Sequence, residues 1–432
     1  MTATQPDLRA TSAFQTGDAS GTDIPTHEEL IERARALGPF LIERQEETER
    51  NTFPKEDIQQ AFIDNGFYKV LTPKRYGGYQ MNAWSFLRLA IELARYNPSA
   101  AWCYALGHSH AYTAAAFFSP EAQDELFGAP DGYLVAASFA FPRGEARRVD
   151  GGYIINGAYP YGSGSPYSNY YFGVVPAPAG SPHAPEGQHI SFVAKRDDFT
   201  VGDDWGAVLG MRGSGSATVT IKDAFVPDQW VLPTTYTMLG AVDGHTPGSI
   251  YHDDSTYAMP QLGFATTYPP ALVIGMGFGA LDTYAEVIKK KAPERIPGIS
   301  DAATMAAKVK AEVPEYQRVF GLASMEIEAA EALMKSVCDG LADMGAQGSM
   351  NPEENLKLAL RTGYAGRLVW NAVNEHLWRT GGSSQALDSA KMQRYFRDIA
   401  TWYTAPGNGQ RDSMGQMYGM VKLFGPPAPP GA

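Results

Sequence analysis

The stretch Trp205–Trp230, WGAVLGMRGSGSATVTIKDAFVPDQW, joins a glycine-rich turn to an alternating strand pattern that ends at a proline. Its first half contains four glycines, at positions 206, 210, 213 and 215. Glycine permits positive φ and a close approach of the backbone, so such a turn either starts a strand tightly or brings amides near a phosphate or a flat ring. The pattern predicts a strand preceded by a turn that is suited to either task.

The size and composition of the chain indicate a globular protein of several sub-domains. Its 432 residues exceed the roughly 250–300 that one hydrophobic core usually serves. Hydrophobic residues make up 44% and charged residues 19%, which is ordinary for such proteins. Aromatic residues reach 12%, a share that suits a ring-lined cavity as well as a plain core.

Charge and hydropathy exclude several classes of partner. The formal net charge is −12, and no run of Lys and Arg forms a basic stripe, so neither nucleic acid nor an anionic membrane is expected to bind. No uninterrupted apolar run reaches the ~18 residues of a membrane span. The first residues lack a hydrophobic signal core, so residues 1–24 are expected to form a disordered leader of a cytoplasmic protein. No metal site is predicted, because the acidic run at 251–254 has no partner cluster.

The secondary-structure pattern changes twice along the chain. Residues 25–130 have helical periodicity, and Thr26 is placed to cap the first helix. Residues 131–240 contain short β-rich runs separated by Gly, Pro, Asn and Asp, which predicts a small antiparallel barrel or sandwich. Residues 241–432 are mainly helical again. We therefore expect an α+β protein with its β-domain in the middle.

Four motifs in this order resemble the acyl-CoA dehydrogenase superfamily. They are FYKVLTPKRYGG (67–78), VDGGYIINGAYPYGSGS (149–165), GMRGSGSATVTIKDAFVP (210–227) and LWRTGGSSQALDSAKMQRYFRDI (377–399). The resemblance extends over residues 26–412 and implies an N-terminal helical domain, a central antiparallel β-barrel domain and a C-terminal four-helix bundle. It also implies a bound flavin and a homotetramer.

The same resemblance assigns a set of residues to the flavin. The motif around residue 211 turns beneath the cofactor, and the Gly-Gly motif contacts its edge. The residues that the resemblance assigns to cofactor binding are Ser163, Ser165, Arg212, Ser214, Ser216, Gly381, Gly382 and Ser383.

The carboxylate base of an acyl-CoA dehydrogenase is missing. Such an enzyme removes an α-proton while hydride leaves for the flavin, and relatives place a Glu either after the C-terminal Arg-Asp or at the start of the helix that follows the β-domain. Here the first position falls near Pro406, and no glutamate occurs between Glu186 and Glu286. The sequence therefore resembles the branch of two-component flavin monooxygenases, such as the 4-hydroxyphenylacetate hydroxylases.

Membership in that branch implies a specific chemistry. Reduced FMN or FAD comes from a separate flavin reductase and reacts with O₂, and the resulting C4a-hydroperoxide delivers one oxygen atom to the substrate. The expected substrate is a small aromatic molecule of the phenol class. The reaction requires a dry pocket, a hydrogen bond near flavin N5 and a base that acts on the phenol.

Candidates for these roles follow from the resemblance. Ser163 matches the residue that faces N5, and His110, in the apolar stretch AWCYALGHSHAY, matches the histidine directed at the phenol oxygen. Ser138 stands where the hydroxylases place a serine that faces the substrate. His108 and His110 point to different faces of a helix and make a poor metal pair.

One departure leaves the substrate class open. Phenol hydroxylases of this type carry a second histidine after the Arg-Asp, but here Tyr403 stands in that region and no His follows His376. This stretch is more similar to the amino-sugar N-oxygenases, so N-oxygenation of an amine is a second hypothesis. Either Tyr403 replaces the lost hydrogen bond, or the substrate needs none there. An acyl-CoA dehydrogenase with its base elsewhere and a non-catalytic flavin-binding scaffold stay open as well. The sequence decides neither FMN against FAD nor the regiochemistry.

The run GMGFGA (275–280) matches part of a dinucleotide fingerprint. It lies inside a helical pattern with no strand before it, so close packing between helices explains its glycines better.

Overall fold

The computed structural model describes residues 24–128, 133–348, 351–404 and 406–425, without the side chains of 406–411. The predicted leader, residues 1–24, falls outside these ranges except for Ile24. Within them the chain runs from helices through strands to helices, and the predicted fold class is confirmed.

Within residues 24–128, seven α-helices form the N-terminal part. Their bounds are α1 His27–Ala36, α2 Gly38–Glu43, α3 Gln45–Arg50, α4 Glu56–Asp64, α5 Ala83–Tyr96, α6 Pro98–Phe117 and α7 Pro120–Phe127. The predicted cap at Thr26 is confirmed, because its side chain accepts the N–H of Glu29 while the Glu29 carboxylate accepts that of Thr26. Helix α6 is buried over most of its surface, as its apolar sequence predicts.

Among the described residues, eight strands form two four-stranded sheets. The strands are β1 Ala136–Ser138, β2 Glu145–Val149, β3 Gly152–Gly162, β4 Tyr170–Pro176, β5 His189–Lys195, β6 Phe199–Val201, β7 Ala217–Pro227 and β8 Val231–Pro233. One sheet has the order β1-β4-β5-β8 and the other β2-β3-β7-β6. The strand predicted to follow the turn at Met211 is β7, which pairs with β3 along most of its length.

One pairing differs from the expected antiparallel pattern. Strands β1 and β4 are parallel, with Ser138 beside Phe172 in the register. A parallel pair needs a long connection, and the hairpin of β2 and β3 supplies it here. Short-range turn signals in the sequence carry no information about such a crossover. The consequence for the site is that the end of β1 lies next to the middle of β4.

The C-terminal helices begin after β8. They are α8 Pro247–Tyr251, α9 Gln261–Ala265, α10 Tyr268–Lys290, α11 Ala302–Ala306, α12 Pro314–Gln347, α13 Pro352–Asn371, α14 Arg379–Gly381, α15 Lys391–Tyr403 and α16 Pro406–Phe424. A π-helix, Ala372–Trp378, continues α13. Helices α10, α12, α13 and α15 pack together as the four-helix bundle.

The glycines of the GMGFGA run pack helices closely, as predicted. A Cβ on Gly275 would lie 2.2 Å from the carbonyl oxygen of Ile91, and one on Gly279 would lie 2.5 Å from that of Arg95. Helix α10 thus contacts the backbone of α5 directly. By length and composition the segment 261–290 could cross a membrane, but most of it is buried inside the protein, as expected of a core helix.

Candidate active site

The N-terminal half of α6 meets the serine-rich turns of the β-domain. The indole N–H of Trp102 donates to Oγ of Ser163 at 3.1 Å. Ser163 is 8% exposed and follows the last residue of β3. Two parts of the chain that lie 61 residues apart therefore meet at one hydroxyl group.

Ser163 is the end of a chain of three buried serine hydroxyls. Its Oγ lies 2.8 Å from that of Ser216, which lies 2.7 Å from that of Ser214. An indole N–H is a donor only, so Ser163 accepts from Trp102. Three hydroxyl protons are shared between two oxygen–oxygen contacts, and each contact uses one proton. One O–H of the chain is therefore not used within the chain.

This arrangement fits the polar edge of a flavin, which carries ring nitrogens and carbonyl oxygens. The turn beside Ser163 also presents a flat ring: Tyr161 is 65% exposed, has φ of 59° and lies edge-on to Trp205 with ring centroids 6.0 Å apart. Backbone strain of this kind in a residue with a side chain is typical of ligand sites. Tyr161 was not predicted from the sequence, although its position two residues before Ser163 was a usable signal.

Two further predicted cofactor residues support the turn in different ways. Oγ of Ser165 donates to the carbonyl of Gly215 at 3.1 Å, so this serine joins the two turns. Arg212 donates from Nε to the carbonyl of Val208 at 3.0 Å. Its side chain also lines an open cleft of about 600 Å³, whose other charged lining residues are Glu46, Glu49, Arg50, Asp388 and Arg394.

The two histidines of α6 have different surroundings. Both ring nitrogens of His108 are occupied by backbone groups, because Nε2 accepts the N–H of Leu71 at 3.2 Å and Nδ1 donates to the carbonyl of Leu134 at 3.3 Å. His110 donates from Nδ1 to the carbonyl of Leu106 at 2.9 Å. Its Nε2 therefore carries a lone pair and has no hydrogen-bond partner among the described residues.

Burial keeps both imidazoles neutral. It lowers the pKa of His108 to about 3 and that of His110 to about 4, against the smaller opposing effect of the backbone carbonyls. His108 is thus a satisfied core residue, whereas His110 presents an acceptor nitrogen. This difference selects His110 as the candidate base.

Aromatic rings surround His110. The ring centroid of Phe172 lies 4.8 Å and that of Tyr236 5.7 Å from the imidazole. Ser138 is close enough to the Tyr236 hydroxyl to oppose the rise in pKa that burial causes there, and the parallel β1–β4 pair places Ser138 beside Phe172. The structure therefore brings the predicted residues Ser138 and His110 into one cluster.

Another tyrosine stands at the start of α10. Burial raises the pKa of Tyr268 to about 12, and the side chain of Ser109, the neighbour of His110, is close enough to oppose that rise. This is the region in which some acyl-CoA dehydrogenases place their catalytic glutamate. A neutral phenol that cannot ionise near pH 7 stands there instead of a carboxylate.

Trp102 and His110 lie on one side of α6, two turns apart. At ~1.5 Å of rise per residue, the two positions are separated by about 12 Å along the helix axis. The serine chain and the aromatic cluster therefore lie along the same helix, on either side of Leu106.

The Gly-Gly motif lies elsewhere in the chain. Gly382 has φ of 84° and would place a Cβ 3.9 Å from Nζ of Lys310. Next to it, Ser384 accepts a hydrogen bond from Lys291 at the end of α10. The structure does not bring Gly381, Gly382 or Ser383 to the serine chain of the same subunit, and their flavin contact stays a prediction.

Tyr403 is also separate from His110. Its ring stacks on Trp370 with centroids 4.5 Å apart, and its hydroxyl accepts a hydrogen bond from Arg367. Both neighbours belong to α13, within the C-terminal bundle. The role of Tyr403 in replacing a second histidine stays a prediction.

Family models match most of the helical parts of the chain. The model described as "Acyl-CoA dehydrogenase, N-terminal domain" matches residues 25–128, and "Acyl-CoA dehydrogenase, C-terminal domain" matches residues 270–404. Together they include more than half of the sequence, on both sides of the β-domain.

Known relatives match over most of their length. The chain is 30% identical over 380 residues to a pigment production hydroxylase of Rhodococcus sp. (strain ATCC 21145), with 87% of this chain and 91% of the relative covered. It is 30% identical over 375 residues to the flavin-dependent monooxygenase oxygenase subunit HsaA of Rhodococcus jostii (strain RHA1), with 85% and 91% covered.

A solved structure is similar to the whole fold. XiaF from Streptomyces sp., in complex with FADH₂ and glycerol, superposes with a TM-score of 0.79 at 26% identity, covering 93% of this chain and 97% of that one. The absence of the dehydrogenase glutamate and the presence of the serine chain are consistent with these similarities. The chain belongs to the acyl-CoA dehydrogenase superfamily, in the branch formed by the oxygenase components of two-component flavin-dependent monooxygenases.

Proposed function

We propose that this oxygenase hydroxylates a small phenol in the site that α6 forms with β1 and β4. The proposal rests on Nε2 of His110, which has no hydrogen-bond partner among the described residues and lies within a cluster of aromatic rings. The flavin lies at the serine chain, and the phenol lies against Phe172 and Tyr236. A bound reduced flavin supplies the two electrons with which O₂ yields one oxygen atom for the substrate and one for water.

His110 acts on the substrate proton. Its neutral imidazole accepts the phenol O–H at Nε2 while Nδ1–H stays bonded to the carbonyl of Leu106, which fixes the ring orientation. In the protein without substrate, burial lowers the pKa of His110 to about 4. A phenolate beside it favours the imidazolium and raises that pKa again, because an opposite charge stabilises the protonated form. The ring carbon that receives oxygen is then more electron-rich.

The aromatic cluster excludes water from the reacting atoms. His110 is 3% and Tyr236 3% exposed, and Phe172 is fully buried. Aromatic rings form most of the wall around His110, so this wall contains few groups that would hold water. A dry pocket directs the activated oxygen to the substrate instead of releasing hydrogen peroxide.

The serine chain orients the flavin. Ser163, held by Trp102, contacts the polar edge of the ring, and Ser214, Ser216, Ser165 and Arg212 support it from the adjoining turn. Either FMN or FAD in its reduced form meets these contacts. A separate flavin reductase supplies it.

The assembled enzyme is a homotetramer in the cytoplasm. Large apolar side chains are exposed on α12, α13 and α16, where copies of the bundle would bury them. The exposed residues are Leu322, Met325, Tyr364, Met417, Met420, Leu423 and Phe424. Sedimentation equilibrium tests this assembly, since a monomer of 46.8 kDa would contradict it.

Single-turnover oxidation under ¹⁸O₂ tests the proposed reaction. Protein and reduced flavin are mixed anaerobically, then exposed to ¹⁸O₂ with a panel of phenols or of matched anilines and amino sugars. We expect one ¹⁸O atom in a catechol-type product. N-oxidised products from the amines, without hydroxylated products from the phenols, would show that the substrate is an amine. In a separate anaerobic sample that contains oxidised flavin, bleaching of the flavin by an acyl-CoA would contradict the oxygenase reaction.

A further inference from the structure

Helix α15 buries three charged side chains where it faces the turn around Met211. Arg394, Arg397 and Asp398 are 5%, 6% and 1% exposed. Burying ionised groups is costly unless they are paired and hydrogen-bonded, so the cluster must have specific partners. They come from α3 and from the turn that carries the serine chain.

Asp398 holds the backbone at the start of that turn. Its Oδ1 accepts the N–H of Met211 at 2.5 Å. Met211 has φ of 55°, and this left-handed conformation costs a residue with a side chain about 1–2 kcal/mol. The Met211 carbonyl in turn accepts the N–H of Ser214 at 3.1 Å and the indole N–H of Trp205 at 3.0 Å. The serine turn is therefore built on the residue that Asp398 fixes.

The turn also rests directly on the backbone of α15. A Cβ on Gly210 would lie 2.2 Å from the carbonyl oxygen of Arg397. The Arg397 guanidinium reaches back to the carbonyl of Leu209 at 3.5 Å. A displacement of α15 would therefore displace the turn.

The charged groups around Asp398 have opposing effects on its pKa. Arg397 donates to both oxygens of Glu49 on α3 at 2.5 Å, and Nε of Arg394 lies 3.5 Å from the same carboxylate. The positive charges of Arg397 and Arg394 thus lie mainly against Glu49, and they stabilise the carboxylate of Asp398 less. Burial raises the pKa of Asp398 to about 7, opposed by the Met211 N–H and the two arginines and reinforced by Glu49.

On the side of α10, the carboxylate of Asp282 is paired with Arg95 on α5. Tyr395, on α15, is close enough to Asp398 and Asp282 for both carboxylates to reinforce the effect of burial, which raises the pKa of Tyr395 far above the physiological range. Its hydroxyl donates to the carbonyl of Arg95 at 2.6 Å and stays neutral.

We propose that Asp398 is a positioning residue for the flavin: its carboxylate holds the Met211 peptide, and thereby Ser214 and Ser216, in the arrangement that receives the cofactor. This inference rests on the proposed flavin site at the serine chain. Hydrogen bonds to an ionised acceptor are about twice as strong as neutral ones. Flavin therefore binds more tightly when Asp398 is ionised, above about pH 7, and less tightly below it.

Asp398→Asn in the full-length protein tests the inference. The amide oxygen still accepts from Met211 but carries no charge. FAD affinity is measured by anaerobic titration at about pH 6 and about pH 8, on either side of the Asp398 pKa of about 7. Protonation of the flavin itself changes the Kd of the variant and of the wild type by the same factor, so its effect cancels in the ratio of the two Kd values. We expect a ratio of about five at the higher pH, the fold-change of a ~1 kcal/mol hydrogen bond, and a ratio near one at the lower pH.

A matched control and a flavin-free measurement separate the possible failures. Asp228→Asn removes a carboxylate that pairs with Arg148 on the β-domain, and we expect a ratio of one at both pH values. Hydrogen exchange of residues 205–216 in the flavin-free protein reports the turn alone, and Asp398→Asn should accelerate it. Unchanged exchange overturns the role of Asp398. Accelerated exchange with unchanged flavin affinity would show that flavin does not bind at the serine turn. That result overturns both the proposed flavin site and the role of Asp398 in positioning the flavin.

A second pair of variants keeps the inference testable if Asp398→Asn folds poorly. Met211→Gly and Met211→Ala both remove the side chain, but only glycine adopts the left-handed conformation freely. Both variants keep Asp398. Exchange of residues 205–216, corrected for the intrinsic effect of pH, should slow more between about pH 6 and about pH 8 in the alanine variant than in the glycine variant, because only the strained alanine turn depends on the ionised carboxylate of Asp398. An equal response to pH in both variants would overturn the proposed clamp.

Discussion

The indole N–H of Trp102 and the hydroxyl of Ser163 form a 3.1 Å hydrogen bond that joins α6 to the turn after β3. Because the indole only donates, it occupies one of the two lone pairs of Ser163 and turns the remaining lone pair and the O–H toward Ser216 and the ligand. The orientation of the hydroxyl nearest the proposed flavin is thus set from outside the serine chain.

Trp102→Phe should weaken the binding of reduced flavin. The variant keeps a ring of similar bulk but loses the donor, and loss of ~1 kcal/mol corresponds to about a fivefold higher Kd. Anaerobic titration with reduced FMN and FAD measures the change. Trp84→Phe is the control, because Trp84 lies on α5 and stacks on His27. Equal Kd values for both variants and the wild type would show that Ser163 needs no such orientation.

His110→Ala and His110→Asn should both leave flavin binding intact and lower hydroxylation by about 10²–10⁴-fold, the usual contribution of a general base. Asparagine is the informative variant, because its amide can still donate to the carbonyl of Leu106 but offers nothing in place of Nε2. Product formed per reduced flavin is measured in single turnovers. Recovery of hydroxylation in the asparagine variant would assign His110 a structural role instead.

His108 should govern acid stability and not the reaction. Its folded-state pKa of about 3 lies below the ordinary value of about 6.5, so the unfolded chain binds a proton first as pH falls. Its contribution to stability is complete above about pH 6.5 and declines below it, by up to ~1.4 kcal/mol per pH unit. Urea denaturation between pH 7 and pH 5 should show a shallower decline in His108→Phe, together with a loss of about 1–3 kcal/mol at pH 7 from the unpaired Leu71 N–H. An unchanged pH dependence would contradict this assignment.

The sequence predicted the order of elements and the two serine turns because both depend on local signals. Periodicity marks helices, glycine and proline mark turns, and motif resemblance located Ser163 and Ser216. The contact between Trp102 and Ser163 spans 61 residues, and no local pattern encodes it. The parallel pairing that places Ser138 beside Phe172 depends likewise on a crossover.

The residues that complete the site lie in stretches of sequence that give no local signal of function. Tyr236 and Phe172 were part of a general aromatic surplus, and the fold alone places them around His110. The burial of Asp398 depends on how α15 packs on the Met211 turn. The Arg-Asp pair could be named as a motif from the sequence, but what it holds follows only from that packing.

The contact between the Met211 turn and α15 predicts opposite effects for two glycine-to-alanine substitutions. Gly210→Ala would place a methyl group 2.2 Å from the carbonyl oxygen of Arg397, and backbone on both sides must move to relieve that overlap. We expect a loss of about 1–3 kcal/mol in stability and at least fivefold weaker flavin binding, since the displaced turn carries Ser214 and Ser216. Gly321→Ala, on α12 beside the surface proposed to join subunits, meets no atom of its own subunit within 4 Å and should raise the stability of that subunit by about 0.5–1 kcal/mol through helix propensity. Chemical denaturation and flavin titration of both variants check the pair. Normal flavin affinity in Gly210→Ala would mean that the turn does not rest on α15 when flavin binds.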